Sequence, residues 1–163
     1  MKDKEKIIKI SKICKIVSKV FYIVDCVLTF VLFALAIILP ITNAIPSISK
    51  AESAIIFSVL TLYAFFLIDF FWNTTKFFNT IYTQQSVFGV SITKSIQRIA
   101  ISTFILSTIP ALIGSILIHA IVPNSEFVFR FEIVGISAAV VLYFIGLFFN
   151  YGAKLQKQDD ETL

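Results

Sequence analysis

Four long apolar runs alternate with polar segments along this chain. They cover residues 20–41, 53–72, 99–122 and 131–151. Each is close to the roughly 20 apolar residues that an α-helix needs to cross the hydrocarbon core of a bilayer. Backbone groups in that core must be hydrogen-bonded within the segment, which favours helices. We therefore predict an all-α integral membrane four-helix bundle, with residues 20–151 as a single membrane domain.

The polar segments predict the rest of the organisation. Residues 1–19 form a basic cytoplasmic segment, residues 73–98 an inner loop, and residues 152–163 a cytoplasmic tail. Near the end of the inner loop, apolar residues return at helical spacing, which indicates that a helix enters the third span from the cytoplasm.

The first segment has a helical pattern of its own. Ile10, Ile13, Val17 and Val20 recur on one face, and lysines occupy another. This pattern predicts a short basic amphipathic helix at the membrane surface. It is either a topology anchor continuous with the first span or a docking site for an acidic partner or anionic lipid, since each basic residue near such a surface contributes about 1 kcal/mol.

Composition and charge agree with a membrane protein and orient it. Hydrophobic residues make up 58% of the 163 residues, and the mean hydropathy is +0.91. Of the 14 Lys and Arg residues, all but Lys50 and Arg130 lie before the first span, between spans two and three, or after span four. Because basic loops stay on the cytoplasmic side, both termini are predicted to be cytoplasmic.

Charged residues within spans are rare and need partners. Asp25 and Asp69 are both predicted to lie roughly 5 to 8 Å inside the inner boundary. Lys76 follows Asp69 by seven residues and shares its face, and Arg98 opens span three at the same level. We predict that these four residues form a structural ion-pair cluster. The alternative is a cation or proton path through the membrane.

Small residues mark a packing face. In lipid they let helices approach closely. On span three they recur at every fourth position, and span four offers a matching face, so a tight hairpin or a homodimer contact is expected. The predicted helix-packing residues are Thr103, Ser107, Ala111, Gly114, Ser115, Gly135, Ala139 and Gly146.

Recognisable catalytic motifs are absent from the sequence. It contains no Gly-rich phosphate loop, HExxH, GxSxG or Ser/His/Asp set. The only histidine, His119, lies near Glu126 and Glu132, but their spacing matches no zinc motif. We therefore predict a protein that is not an enzyme and that uses no cofactor or metal. Direct nucleic-acid binding is not expected either, because the lysine stripe is short and lacks arginine.

Two stretches carry a resemblance to a known family. The tail reads Tyr151-Gly152, then Leu155-Gln156, then Asp160-Glu161-Thr162-Leu163, and the inner loop has Ser86-Val87-Phe88 followed by Arg98-Ile99. These motifs resemble a bacterial family of four-span membrane proteins of unknown function, often encoded beside a small Cro/CI-type helix-turn-helix regulator. Val87 stands where that family usually has proline.

The resemblance implies a bacterial cell-membrane protein that works with a cytosolic helix-turn-helix regulator. The residues that match its motifs are the candidate partner-binding set: Ser86, Phe88, Arg98, Gly152, Leu155, Gln156, Asp160, Glu161, Thr162 and Leu163. Two alternatives stay open, a bacteriocin-immunity or peptide-resistance protein and a small transporter that relies on Asp25 and Asp69.

Overall fold

Four long helices make up the described part of the protein. The computed structural model describes residues 2–42, 49–84, 89–121 and 132–162. The helices are α1 (Lys2–Thr42), α2 (Lys50–Gln84), α3 (Val90–Ile121) and α4 (Ile133–Thr162). Each contains a stretch long and apolar enough to cross a membrane. The prediction of an all-α protein with four membrane-spanning helices is confirmed.

All four helices are longer than a membrane crossing requires. At a rise of 1.5 Å per residue, the 41 residues of α1 extend about 62 Å and the 30 residues of α4 about 45 Å. The hydrocarbon core of a bilayer is about 30 Å thick. Residues 2–19 continue without a break into the first span. Most of the predicted inner loop is also helical, because residues 73–84 continue α2 and residues 90–98 begin α3.

Contacts between neighbouring helices show that they run antiparallel. Between α2 and α3, Asn73 is hydrogen-bonded to Ser102, and Val59 lies against Gly114, so rising numbers on one helix meet falling numbers on the other. The other pairs follow the same order. Contacts join Lys15 to Tyr82 and Phe21 to Phe71 between α1 and α2, and Gln97 to Gly146 and Ser107 to Gly135 between α3 and α4. Both described ends of the chain, Lys2 and Thr162, therefore lie at the same end of the molecule.

The helices form an open row, which corrects the prediction of a bundle. Within the described residues, α1 packs against α2, α2 against α3, and α3 against α4, and no other pair of helices is in contact. A closed bundle would also bring α1 against α4. Lipid tails are as apolar as the helix faces, so no hydrophobic force drives the row to close.

The end of the molecule that holds both termini has a hydrophobic core of its own. We call this end the head; it consists of the helix ends 2–19, 73–84, 90–98 and 150–162. Ile81, Ile92 and Ile96 are buried together between α2 and α3, with Phe77 and Phe149 packed against them. Ile92 has 0% of its surface exposed. The apolar pattern of the spans did not predict this core.

At the opposite end, α2 begins with a capping box. The Ser49 N–H donates to Glu52 Oε2 at 2.9 Å, and the Glu52 N–H donates to Ser49 Oγ at 3.2 Å. The first N–H groups of a helix have no partner within it, and this reciprocal pair satisfies two donors at the helix start. The Ser-x-x-Glu sequence therefore fixes where α2 begins.

Small residues of α3 and α4 lie where the two helices cross. Gly135 packs against Ser107: a Cβ added to Gly135 would overlap the Ser107 hydroxyl and lie 2.8 Å from its Cβ. A Cβ on Gly146 would lie 3.1 Å from the Gln97 side chain. Gly114 faces the other way, against Val59 of α2. The glycines thus serve helix contacts within one chain.

The remaining positions of the predicted packing set are satisfied inside the chain. The hydroxyls of Thr103 and Ser107 donate to the carbonyls of Ile99 and Thr103, and Ser115 donates to Ala111, each at 2.8 Å. Ala139 is buried. These hydroxyls bond to the carbonyl one turn earlier, which is the usual solution for Ser and Thr in apolar helices.

The Gly135→Ala variant is expected to lower stability by up to about 2 kcal/mol net, because the added methyl cannot avoid the Ser107 Cβ by a rotamer change and such overpacking costs about 1–3 kcal/mol. This cost exceeds the gain of about 1 kcal/mol that Ala has over Gly in a helix. Thermal unfolding in mild detergent measures it. Ser137→Ala, on the exposed side of α4, is the control and should change stability by less than about 0.5 kcal/mol. Adding Ser107→Gly should restore the loss, and no restoration would contradict the contact.

Candidate functional site: a polar band at the head end of the membrane region

A hydrogen-bonded network joins α2 to α3 at the head end of the apolar spans. The Asn73 Nδ2 group donates to Asp69 Oδ2 at 3.1 Å and to Ser102 Oγ at 3.0 Å. The Ser102 hydroxyl donates to the same Asp69 oxygen in a short bond. Ser102 is buried, and bonds to a charged acceptor are stronger than those between neutral groups. The network therefore fixes the relative position of the two helices.

Of the three residues in this network, Asp69 was predicted from the sequence, whereas Asn73 and Ser102 were not. Asn73 follows Asp69 by four residues, the spacing at which side chains meet on one helix face, and that signal was readable. Ser102 lies one turn after Arg98 on a different helix, so finding it required the pairing of α2 with α3.

We call Asp69, Asn73, Ser102 and Asp25 the polar band. Asp25 is its second carboxylate, and its environment differs from that of Asp69. Only 5% of its surface is exposed, and its Oδ2 has no hydrogen-bond partner among the described residues. The ring contacts Phe21–Phe71 and Tyr22–Trp72, at 5.4 and 5.5 Å, set the register of α1 on α2. Counting forward on α1 and back on α2 from these contacts places Asp25 level with Asp69, at the shared depth that the sequence predicted.

The predicted ion-pair cluster is wrong. No ion pair joins the two carboxylates to Lys76 or Arg98 in the described part of the chain. The Lys76 ammonium lies 4.7 Å from the centre of the Trp72 ring, a cation–π contact one turn away on its own helix. Arg98 is exposed. A long basic side chain at the edge of a span can extend its charge toward water, so it does not have to pair with a carboxylate deeper in the membrane.

A buried polar stripe of α1 faces α2. Ser11, Ser18 and Asp25 are spaced by seven residues and are all buried. Lys15, on the same side, lies 5.5 Å from the centre of the Tyr82 ring of α2. The apolar residues that the sequence placed on a membrane surface, Ile10 and Ile13 among them, are exposed on the other side of the helix. The head portion of α1 thus buries Ser11 and Ser18 against α2, and it exposes apolar residues such as Ile10 and Ile13 together with most of its lysines.

In the described part of the chain, grooves lie between neighbouring helices within the membrane region. One of about 600 Å³ separates α1 from α2, and its polar lining consists of Cys26, Thr29, Ser58 and Thr61. The Thr29 and Thr61 hydroxyls donate to the Asp25 and Phe57 carbonyls of their own helices. A smaller groove of about 240 Å³ between α3 and α4 has an apolar lining. Both grooves suit hydrocarbon chains.

The candidate partner-binding residues divide between the head and segments outside the described residues. Arg98 and Leu155 are exposed on the head, and Gly152 is half-buried. Gln156, Asp160, Glu161 and Thr162 belong to the last turns of α4. Ser86, Phe88 and Leu163 lie outside the described residues. The described members of the set therefore share one end of the molecule.

The described residues contain no group of three or more His, Cys, Asp or Glu side chains that could hold a metal ion. His119 is exposed near the end of α3 away from the head, and Glu126 lies outside the described residues. Comparison with known proteins found no matching family model, no similar curated protein and no similar solved structure.

Proposed function

We propose that this chain is a non-catalytic protein of the bacterial cytoplasmic membrane, with both termini in the cytosol, whose head holds a cytosolic helix-turn-helix regulator. The charge distribution supports the orientation, since nearly all Lys and Arg residues belong to the end that carries both termini. The tail and inner-loop motifs support the class of partner.

The observation that carries the proposal is the core of the head. The spans also bury apolar residues where their helices touch, Ile55, Ala64 and Ala139 among them, but lipid accepts their remaining apolar faces. The head, in contrast, buries Ile81, Ile92 and Ile96 outside the apolar runs that cross the membrane. Burial of apolar surface from water stabilises a defined shape by roughly 25 cal/mol per Å². A simple membrane anchor requires no such shape, whereas a protein-binding platform does.

The surface of the head also has features suited to a partner. Tyr151 and Leu155 are exposed apolar residues one turn apart on α4, and Arg98 is exposed on α3. Residues 159–161 add an Asp-Asp-Glu run on the last turns of α4. Proteins that bind DNA present basic surfaces to its phosphates. The negative charge of this sequence run is complementary to such a basic surface.

Affinity capture from native membranes in mild detergent tests the proposal. The full-length protein should recover a small helix-turn-helix protein, and a chain cut after Ala153 should not. Leu155→Ala should reduce recovery about fivefold or more if Leu155 is an anchor, since truncating an anchor residue costs over 1 kcal/mol. Leu147→Ala removes a similarly exposed leucine from the membrane part of the same helix, and it should leave recovery unchanged.

Two results would contradict the proposal. One is equal recovery of the regulator with the full-length and the cut chain. The other is recovery of membrane proteins or a secreted peptide alone, which would favour the immunity alternative.

A further inference from the structure

The α4 helix is displaced toward the head relative to the other three helices. The contacts that set its position join Gln97 to Gly146 and Ser107 to Gly135, and the groove between α3 and α4 has Ala100 and Phe104 on one side and Ala139 and Tyr143 on the other. All of them share one antiparallel register. Continued to the start of α4, this register places Glu132 level with Pro110. The α4 helix therefore starts well before the level at which α3 ends, Ile121.

This start lies near the middle of the membrane region. Contacts between neighbouring helices bring the end of α1, the start of α2 and the end of α3 to one level, opposite the head. Ile121 and Glu132, the described residues on either side of the last connection, differ in depth by about 17 Å along the helix axes. The hydrocarbon core of a bilayer is about 30 Å thick. The chain therefore enters α4 from about halfway through the core.

Glu132 places a carboxylate at this depth. It is exposed, and the next two residues, Ile133 and Val134, are 72% and 84% exposed, so the rest of the chain does not bury these three residues. The Glu132 Oε2 atom lies 3.8 Å from the position that a Cβ on Gly135 would occupy, so the side chain folds back over the first turn of α4. Because the N-terminal end of a helix is the positive end of its dipole, a negative charge is favoured there.

Hydrocarbon is a poor environment for this arrangement, because a charged side chain at the centre of a bilayer needs a partner or water. Among the described residues, the Lys and Arg residues nearest in depth are Lys76 and Arg98, about 18 Å nearer to the head; Arg130 lies outside the described residues. The first N–H groups of α4 also lack partners within the helix. Such backbone groups are tolerated at membrane depth where protein buries them or where they line a water-filled cavity. The exposure of residues 132–134 favours the cavity.

We propose that water enters the membrane region from the end opposite the head and reaches Glu132, so that the start of α4 is the floor of a hydrated cleft. Tyr63 of α2 belongs to the same cleft. The contact of Val59 with Gly114 places Tyr63 level with Pro110, and Tyr63 is close enough to Glu132 to interact with it electrostatically. A negative charge in a cleft with walls of low dielectric constant concentrates counter-ions, so small cations are the ligands that this cleft should attract. The cleft depends neither on the proposed function nor on which side of the membrane is cytoplasmic.

Single cysteines test whether water reaches this floor. The two native cysteines of the full-length protein are first changed to serine. In sealed membranes, Tyr63→Cys and Glu132→Cys should react with a charged, membrane-impermeant methanethiosulfonate from the side on which Lys50→Cys, at the start of α2, reacts. Val31→Cys is the control, because Val31 is exposed on α1 at a similar depth. Both test positions should react at least roughly tenfold faster than the control, since a thiol in hydrocarbon stays protonated and the thiolate is the reactive form. A thiol count after denaturation confirms that each variant is present.

The charge of Glu132 is tested separately, with the native residue in place. A cationic methanethiosulfonate should modify Tyr63→Cys roughly tenfold faster than an anionic one, after correction for their rates with a free thiol, because the carboxylate attracts the cation and repels the anion. Adding Glu132→Gln should remove this preference. A rate at either test position no higher than that of Val31→Cys, reaction from the head side alone, or an equal cation preference with and without Glu132→Gln would each overturn the proposal.

Discussion

Replacing Ile92 with aspartate is expected to unfold the head while the spans stay in the membrane. Ile92 is fully enclosed by α2 and α3, and its neighbours Ile81 and Ile96 are themselves buried. Removing a large aliphatic side chain from such a site costs about 2–5 kcal/mol. The carboxylate adds the cost of a buried charge without a partner, which is several kcal/mol more. The total exceeds what a small core can supply.

Limited proteolysis distinguishes this local loss from general misfolding. Lys94 and Arg98 lie in the head portion of α3 and are exposed, but their helical backbone protects them from trypsin. In the Ile92→Asp variant, trypsin should cut at these sites many times faster, while the spans remain protected by detergent or lipid.

Ser91→Asp is the matched control, because Ser91 is the exposed neighbour of Ile92 on the same helix. The same substitution there should leave the cleavage rate close to that of the wild-type protein. Equal cleavage of the two variants would show that the Ile81–Ile92–Ile96 core does not hold the head together.

The sequence was sufficient to predict the spans but not the way they associate. A span is determined by local composition, since about 20 apolar residues meet the requirement of the bilayer wherever they lie. The association of the helices depends on pairs such as Gly135 with Ser107, whose fit is set by a few tenths of an ångström between distant residues. The sequence shows small residues on both α3 and α4. It does not show which of these residues meet or that the four helices form an open row, because both depend on contacts between helices.

The polar band shows the same limit of prediction for individual side chains. The register that places Asp25 level with Asp69 followed from counting residues into each span. Charge then suggested Lys76 and Arg98 as their partners. In the structure Asp69 is satisfied by the neutral side chains of Asn73 and Ser102, and Lys76 by an aromatic ring. Neutral hydrogen-bonding groups are hard to single out in a sequence, because most Ser and Thr residues in these spans bond only to their own helix.

The two carboxylates of the band are expected to respond in opposite directions to the same substitution. Asp25→Leu should raise thermal stability, and Asp69→Leu should lower it. The Asp25 Oδ2 is buried without a hydrogen-bond partner among the described residues. An unsatisfied buried polar group costs about 1–3 kcal/mol, and a leucine of similar size removes that cost and adds apolar contact with α2.

At Asp69 the same substitution is expected to change thermal stability in the opposite direction. The carboxylate accepts hydrogen bonds from both Ser102 and Asn73. Removing it leaves the buried Ser102 hydroxyl without this acceptor and cuts the link between α2 and α3, with a loss of about 2–4 kcal/mol in total. The midpoint of thermal unfolding in mild detergent should shift by about 2–4 °C for each kcal/mol in a chain of this size.

The sign of the Asp25 effect also decides between a structural residue and a transport site. If the carboxylate binds a cation or proton on a path through the membrane, Asp25→Leu should abolish flux in reconstituted vesicles and should not stabilise the protein. If it is an unsatisfied structural group, Asp25→Leu should raise the unfolding midpoint and leave flux at the wild-type level. We expect the second result, because the neighbouring Thr29 and Thr61 hydroxyls are bonded to their own helices and so offer no continuous path onward from Asp25. A lower unfolding midpoint for Asp25→Leu together with lost flux would contradict this expectation and establish Asp25 as a functional ion-binding residue.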